Sequence, residues 1–392
     1  MSRLEELIAE LCPNGVEFKK IKDVYTRLKG TPITAGKMKE IENSSGEIRV
    51  FAGGKTVINA REEDIPNANI TRVPAVLVQS RGVIDFVFYE EPFTFKNEMW
   101  AYTNKERISV KFLYYVLKNN APHFRDAASG MGSLPQISLP VTEEFEVPVP
   151  PLEVQEEIVR ILDNFTELTA ELTAELTARR KQADYYREKM ILSASDYSEY
   201  ELSEICLVID CPHSSPKWKE EGIPVIRNYN LVNGTIDTTK LSYVSEEDYK
   251  ERIKRVEPQE NDILFSREAP IGNVGIIPAG FKCCQGQRVV LLRPFTEYVL
   301  SRFLIHVLQS GLVINQIGKV EGVGATVSNF NIADLKRLKI LLPPLDDQRI
   351  IADKLEVFNK YCFEITEGLP AEIEARRKQY EYYRDKLLSF DV

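Results

Sequence analysis

The sequence predicts an α+β protein: two mixed α/β globular domains and two long helices, the helices pairing as an intramolecular antiparallel coiled coil. Three observations predict it. The chain repeats itself with a period near 190 residues, each repeat ends in a long apolar stripe at helical spacing, and the stretches between carry short strand-like runs without regular βαβ alternation. The segments are 1–147, 148–196, 197–342 and 343–392, a pseudo-two-fold repeat of one globular domain followed by one helical spacer.

The repeat is clearest at its ends. Pro150-Pro151-Leu152-Glu153-Val154-Gln155 recurs as Pro343-Pro344-Leu345-Asp346-Asp347-Gln348. Arg179-Arg180-Lys181-Gln182 and Tyr185-Tyr186-Arg187-Glu188-Lys189 recur as Arg376-Arg377-Lys378-Gln379 and Tyr382-Tyr383-Arg384-Asp385-Lys386. The globular segments match more faintly but in the same order: Ser80-Arg81 with Ser266-Arg267, Phe112-Leu113 with Phe303-Leu304, and Gly130-x-Gly132 with Gly322-x-Gly324.

In the first domain, Ala75 to Gln79 and Val83 to Tyr89 read as strands, and Val110 to Asn119 reads as a helix. The first spacer follows Pro150-Pro151, which ends the preceding extended segment because proline lacks a backbone donor. Its stripe runs through Ile158, Ile161, Leu162, Phe165, Leu168, Leu172 and Leu176, and continues at Ala183, Tyr186 and Met190. The second domain offers strands at Ile223 to Arg227, Asp262 to Phe265 and Arg288 to Leu292, with a helix at Tyr298 to Gln309. The apolar stretch Phe303 to Gly318 reads as a buried helix, too short and too polar to span a bilayer. In the last spacer the stripe Ile351, Leu355, Phe358, Cys362 and Ile365 is interrupted by Gly368-Leu369-Pro370, which predicts a break with Pro370 opening a new helical segment. A helix with one long apolar stripe must bury it, and the other copy is the economical partner.

The net charge of −9 is unevenly distributed. The two globular segments are nearly neutral, with 19 basic against 20 acidic residues and 17 against 18, and the acidity sits in the spacers. Such a balance permits a basic face on either domain without implying one. The six cysteines show no framework spacing and read as reduced thiols; a zinc site from Cys206, Cys211 and His213 lacks a fourth ligand at metal spacing. Residues 1–15 carry Arg3, Glu5, Glu6 and Glu10 and do not read as a signal peptide.

Signatures of catalysis are missing from the pattern. The only Pro-Pro pairs precede Leu152 and Leu345, so no Asn/Asp-Pro-Pro-aromatic loop of an adenine methyltransferase is present. Gly53-Gly54-Lys55-Thr56 imitates the end of a P-loop, but Arg49 stands where its first glycine belongs. Pro135 and Val327 replace the third glycine of a dinucleotide fingerprint. His123, His213 and His306 form no acid–base constellation.

Taken over its full length, the chain resembles the specificity subunit of type I restriction–modification systems. The resemblance is carried by the Pro-Pro-Leu-x-x-Gln openings and the Arg-Arg-Lys-Gln…Tyr-Tyr-Arg closings of both spacers. It also rests on Asp210-Cys211-Pro212-His213…Gly222-Ile223-Pro224 and on the Thr-Ala-Glu-Leu units between Thr166 and Thr177. One departure is Cys211, where relatives often carry glycine in that loop. The resemblance implies that each globular segment is a target recognition domain reading one half of a bipartite, asymmetric site in double-stranded DNA. It implies that the spacers set the gap and dock DNA methyltransferase subunits, two per chain, with restriction motor–nuclease subunits added for cleavage. S-adenosylmethionine, ATP and magnesium would belong to those partners; the chain itself would be non-catalytic, without cofactor or metal, and cytoplasmic in a bacterium or archaeon, with no membrane partner.

Arg, Lys, Asn and Gln in loops are the side chains that read base edges. The candidates are Lys55, Arg81, Lys96 and Asn97 in the first domain, and Arg227, Asn228, Arg267, Gln285, Gln287 and Arg288 in the second. Arg179, Arg180, Tyr186, Arg376, Arg377 and Tyr383 are candidates for contact with protein partners. Two readings compete: a scaffold whose domains bind protein or glycan, and a specificity module serving an effector that needs no ATP.

Overall fold

The computed structural model describes residues 3–390 apart from 55, 130–133, 213, 269, 322–329 and 363, and apart from the side chains of 319–321, 364 and 366. The chain divides into two compact units, Met1–Thr173 with Ala371–Val392, and Ala174–Pro370. Each unit joins one globular segment to part of each spacer, so the units cut across the four segments read from the sequence.

In the first unit a four-stranded antiparallel sheet has the order Thr26–Lys29, Trp100–Thr103, Ala75–Gln79, Asp85–Tyr89. Ala75–Gln79 is buried at all five positions and pairs on both sides, which explains its uninterrupted apolar run. A three-stranded sheet places Ile48–Phe51 between Val57–Ala60, which is antiparallel to it, and Phe93–Phe95, which is parallel. Phe18–Lys20 pairs with Glu146–Pro148, tying the start of the domain to its end. The helix Arg107–Asn119 packs on the strands Ala75–Gln79 and Asp85–Tyr89 of the large sheet, with Val110, Phe112, Leu113, Val116 and Leu117 buried.

The second unit repeats this plan strand for strand. Its four-stranded sheet has the order Cys206–Ile209, Val289–Pro294, Ile263–Ser266, Val274–Ile276, and its three-stranded sheet the order Ser242–Val244, Ile223–Ile226, Cys284–Gln285. Again one neighbour of the middle strand is antiparallel and the other parallel. Ser198–Glu201 pairs with Lys339–Leu342 as the closing pair. A small hairpin, Leu231–Val232 with Thr235–Ile236, is added in this unit. The stretch expected to be one buried helix is two, Ser301–Leu308 and Gly311–Glu321. Ser310 divides them: its hydroxyl donates to the Val307 carbonyl at 2.6 Å, and its own carbonyl receives the Val313 and Ile314 amides that start the second helix.

The first spacer is a single helix, Leu152–Ile191. Val154, Ile158, Val159 and Leu162 are buried in the core of the first unit together with Leu388. Farther along, Phe165 stacks on Tyr383 at 5.7 Å and meets Tyr380 edge-on at 6.4 Å. Rising numbers on one helix thus meet falling numbers on the other, and the two run antiparallel within this unit. The second spacer comprises Leu345–Tyr361, a π-turn Glu364–Gly368 and Leu369–Ser389. The interruption expected at Gly368-Leu369-Pro370 comes earlier, from the helix end at Tyr361 to the close of the π-turn at Gly368, and Pro370 lies in the first turn of the new helix, where a missing N–H costs little.

The paired spacer openings have one physical explanation. Two prolines end the strand, and the glutamine four residues beyond the second returns its amide to the carbonyl of the first. Gln155 Nε2 donates to the Pro150 carbonyl at 2.7 Å, and Gln348 Nε2 to the Pro343 carbonyl at 2.9 Å.

Candidate nucleic-acid interface

The loops that follow the repeated parallel strand pair carry most of the candidate contact residues. In the first unit the Lys96 amide donates to the Phe51 carbonyl at 3.0 Å; in the second, the Gly286 amide donates to the Ile226 carbonyl at 2.8 Å. This shared bond aligns Phe51 with Ile226 and Lys96 with Gly286. It puts the 52–56 and 96–98 loops of one unit in the places of the 227–230 and 286–288 loops of the other. Beside them, in both units, ends the strand that carries Ser-Arg.

In the first unit these loops enclose a cleft of about 680 Å³, lined among others by Lys39, Gly54, Thr56, Arg81, Lys96 and Glu98. The Arg81 carbonyl accepts the Gly54 amide at 3.1 Å. Gly54 and Gly82, at φ of 72° and 80°, supply the left-handed turns that bring the two loops together. Arg81 is exposed and, among the described residues, has no carboxylate within ion-pair distance. Lys96 is half-buried and ion-paired with Glu98 at 2.9 Å. Asn97 is exposed next to it. Lys55 lies outside the described residues, as do both Gly-x-Gly pairs, 130–132 and 322–324.

The second unit gathers its candidates differently. Arg227 and Gln287 are exposed and Asn228 is half-buried. Gln287 Nε2 reaches the Ser215 hydroxyl at 3.3 Å. Arg288 has a left-handed backbone at φ 66° and pairs with Glu268 at 3.0 Å. Its amide donates to Cys211 Sγ at 3.2 Å, which gives the departing cysteine a structural role; burial pushes the Cys211 thiol up and keeps it neutral. Arg267 is buried against Asp210, at 3.4 Å, and its amide bonds the Arg288 carbonyl at 2.9 Å. Gln285 is buried, and its amide bridges the Ile209 and Val289 carbonyls at 3.2 and 3.1 Å. The matched pair Arg81 and Arg267 thus stands in opposite environments, one solvated and one enclosed.

Sequence reasoning missed Trp218 and Tyr229, whose exposed rings lie beneath Arg227 at 5.4 and 4.9 Å. The available signal was a tryptophan between two lysines, Lys217 and Lys219, in a polar loop, where no core requires it.

On the spacers, Arg179 pairs with Glu175 and Arg376 with Glu372, each one turn away, and Arg377 pairs with Glu374. Arg180 is exposed. Tyr383 is partly covered by Phe165, whereas Tyr186 meets its neighbour Tyr185 edge-on. The more exposed member of each tyrosine pair is the first, Tyr185 at 59% and Tyr382 at 63%.

No group of three or more His, Cys, Asp or Glu among the described residues is arranged to hold a metal ion. Cys206 and Cys211 are buried, and His213 lies outside the described residues. No described helix is long and apolar enough to cross a membrane.

Comparison with known proteins returns the same duplication. The model of the type I restriction modification DNA specificity domain matches twice, at residues 13–179 and 194–375. A Haemophilus influenzae protein named as a type I restriction enzyme specificity subunit is 33% identical over 316 residues, covering 76% of this chain and 77% of its own. The specificity subunit of the Escherichia coli type I restriction enzyme EcoR124I/EcoR124II is 31% identical over 362 residues, covering 88% and 87%. Among solved structures, the S subunit of a type I restriction–modification system from M. genitalium aligns with a TM-score of 0.54 at 17% identity over 96% of this chain and 97% of that one. With both halves matched by one family model, and both built on one strand plan with the same loops at its edge, the chain belongs to the type I restriction modification DNA specificity family.

Proposed function

We propose that this chain is the sequence-reading subunit of a type I restriction–modification complex, in which each globular domain reads one half of a split, asymmetric site in double-stranded DNA. The observation that carries the reading is the repeated loop cluster: two copies of one scaffold present the same edge, but with different side chains on it. Two similar and non-identical readers require two unlike half-sites, as a symmetric dimer requires a palindrome. Exposed Arg81 and Arg227 supply cations for base edges or phosphate, while Arg267 and Gln285 hold the loops from beneath.

The spacers serve as the ruler and as the docking surface for methyltransferase subunits, two per chain, with motor–nuclease subunits joining for cleavage. Exposed Tyr185, Tyr382, Val357 and Tyr361 leave apolar surface on the helices that a protein partner would cover. S-adenosylmethionine, ATP and magnesium belong to those partners, and this chain supplies recognition without a catalytic group. The test is co-expression with a methyltransferase subunit of the same system, followed by sequencing that detects methylated adenine. A split, asymmetric methylated motif that disappears when this chain is deleted is expected. A purified complex that methylates no such motif overturns the reading.

A further inference from the structure

Arg227 differs from three other arginines of the second unit. Arg267 faces Asp210, Arg288 faces Glu268, and Arg293 faces Asp262. Arg227 has no carboxylate within ion-pair distance among the described residues and instead lies over the rings of Trp218 and Tyr229. Those rings are 47% and 44% exposed, so the stack stands on the surface and outside any core.

Its support is also fixed. The Arg227 amide donates to Asn230 Oδ1 at 3.0 Å, and the buried Asn230 amide donates to the Asp237 and Lys240 carbonyls at 3.1 and 3.0 Å. The Tyr229 hydroxyl lies 3.2 Å from that of Ser242. Gly286 lets the next loop close on this one: a Cβ there would stand 2.7 Å from the Ile226 carbonyl oxygen and 3.1 Å from Arg227 Cγ. Held over rings and not by a carboxylate, the guanidinium keeps its planar N–H fork unclaimed by an ion pair, and that fork is the geometry that guanine O6 and N7 accept. Stacking also lowers the ordering entropy lost on binding.

We infer that Arg227 reads a guanine in the half-site of the second domain, with Trp218 and Tyr229 as positioning residues that hold its fork toward the major groove. The inference rests on the DNA-reading role proposed above. The first unit has no counterpart, because the position aligned with Arg227 is Ala52. The requirement therefore falls on one half-site alone.

The experiment uses the full-length chain in its methyltransferase complex, with methylated motifs read by sequencing. Arg227→Ala is expected to relax a single guanine position in one half-site by roughly 10- to 100-fold and to leave the other half-site intact. Arg227→Lys, which keeps the charge without the fork, is expected to relax the same position. Trp218→Ala should slow methylation while the guanine is retained. An unchanged motif with Arg227→Ala overturns the inference, and so does a uniform loss of methylation with every position still required, which marks a phosphate contact. A wild-type complex that yields no split motif fails at the earlier step, the DNA-reading role, and removes both.

Discussion

At the scale of single residues, the two copies solve one packing problem with different chemistry. Where the domain helix meets the spacer in the first unit, Lys111 and Tyr115 both bond Asp163, at 2.7 and 2.5 Å. Position by position, the second unit has Arg302, His306 and Glu356. Arg302 there binds Glu356 through two bonds of 2.7 and 2.6 Å and Asp353 through one of 2.7 Å. His306 is left buried, with no partner for Nδ1 among the described residues. Desolvation, together with Arg187 and Arg302, pushes its pKa down from 6.5 to about 4, against the opposing pull of Glu356. Because the folded value is depressed, the unfolded chain takes up the proton first. The associated stability is complete above pH 6.5 and is lost as pH falls toward 4, by on the order of 3 kcal/mol. His306→Tyr, which restores the first copy's residue, should remove that part of the acid loss, as measured by urea unfolding between pH 7 and 4.5. The spacer glutamines form a second such pair. Gln348 satisfies the Pro343 and Tyr298 carbonyls and the Leu300 amide, whereas Gln155 bonds the Pro150 carbonyl and finds no partner for Oε1 among the described residues. Gln348→Ala should cost about 2–4 kcal/mol and Gln155→Ala about 1 kcal/mol, read as the shift in unfolding midpoint.

At the scale of elements, the long helices and the all-buried strands were legible because their apolar periodicity runs over many residues. Ala75–Gln79 matches its sequence reading to the residue, and Ile223–Ile226 to within one. Strands such as Phe93–Phe95 and Cys284–Gln285 were not legible, since two or three residues cannot display a period and their pairing is parallel to a distant segment. The central helix carries its Thr-Ala-Glu-Leu units on a mostly exposed stretch, where Thr166, Thr169 and Thr173 return their hydroxyls to carbonyls four residues back. Each unit adds roughly 6 Å of helix. Deleting one is expected to shorten the gap between half-sites by one or two base pairs and leave both half-site sequences unchanged, as read from the methylated motif.

At the scale of the whole molecule, charge and exposed apolar surface set its behaviour toward partners. The acidic spacers suit protein contact better than a phosphate backbone, and the two near-neutral domains must concentrate positive potential locally to hold DNA. Tyr185→Ser combined with Tyr382→Ser should weaken co-purification of the methyltransferase subunit while changing the unfolding free energy by no more than about 0.5 kcal/mol, because neither ring is buried.

What the sequence determined by itself was the duplication, the spacer helices with their break at Gly368, and the set of loops from which a reader would be made. These are written in local periodicity and in internal comparison, which need no third dimension. Only the tertiary structure decided which loop residues face solvent. Arg267 and Gln285 carry the same side-chain chemistry as Arg227 and Gln287, yet they lie beneath the surface, because Asp210 and the Ile209 and Val289 carbonyls reach them from strands and loops far away in the chain. Trp218 and Tyr229, eleven positions apart, become one support for Arg227 because both are tied to the strand Ser242–Val244: the Lys219 amide bonds the Tyr243 carbonyl at 2.9 Å, and the Tyr229 hydroxyl lies 3.2 Å from that of Ser242. Donor and acceptor types are properties of residues, but exposure and partnership are properties of the fold.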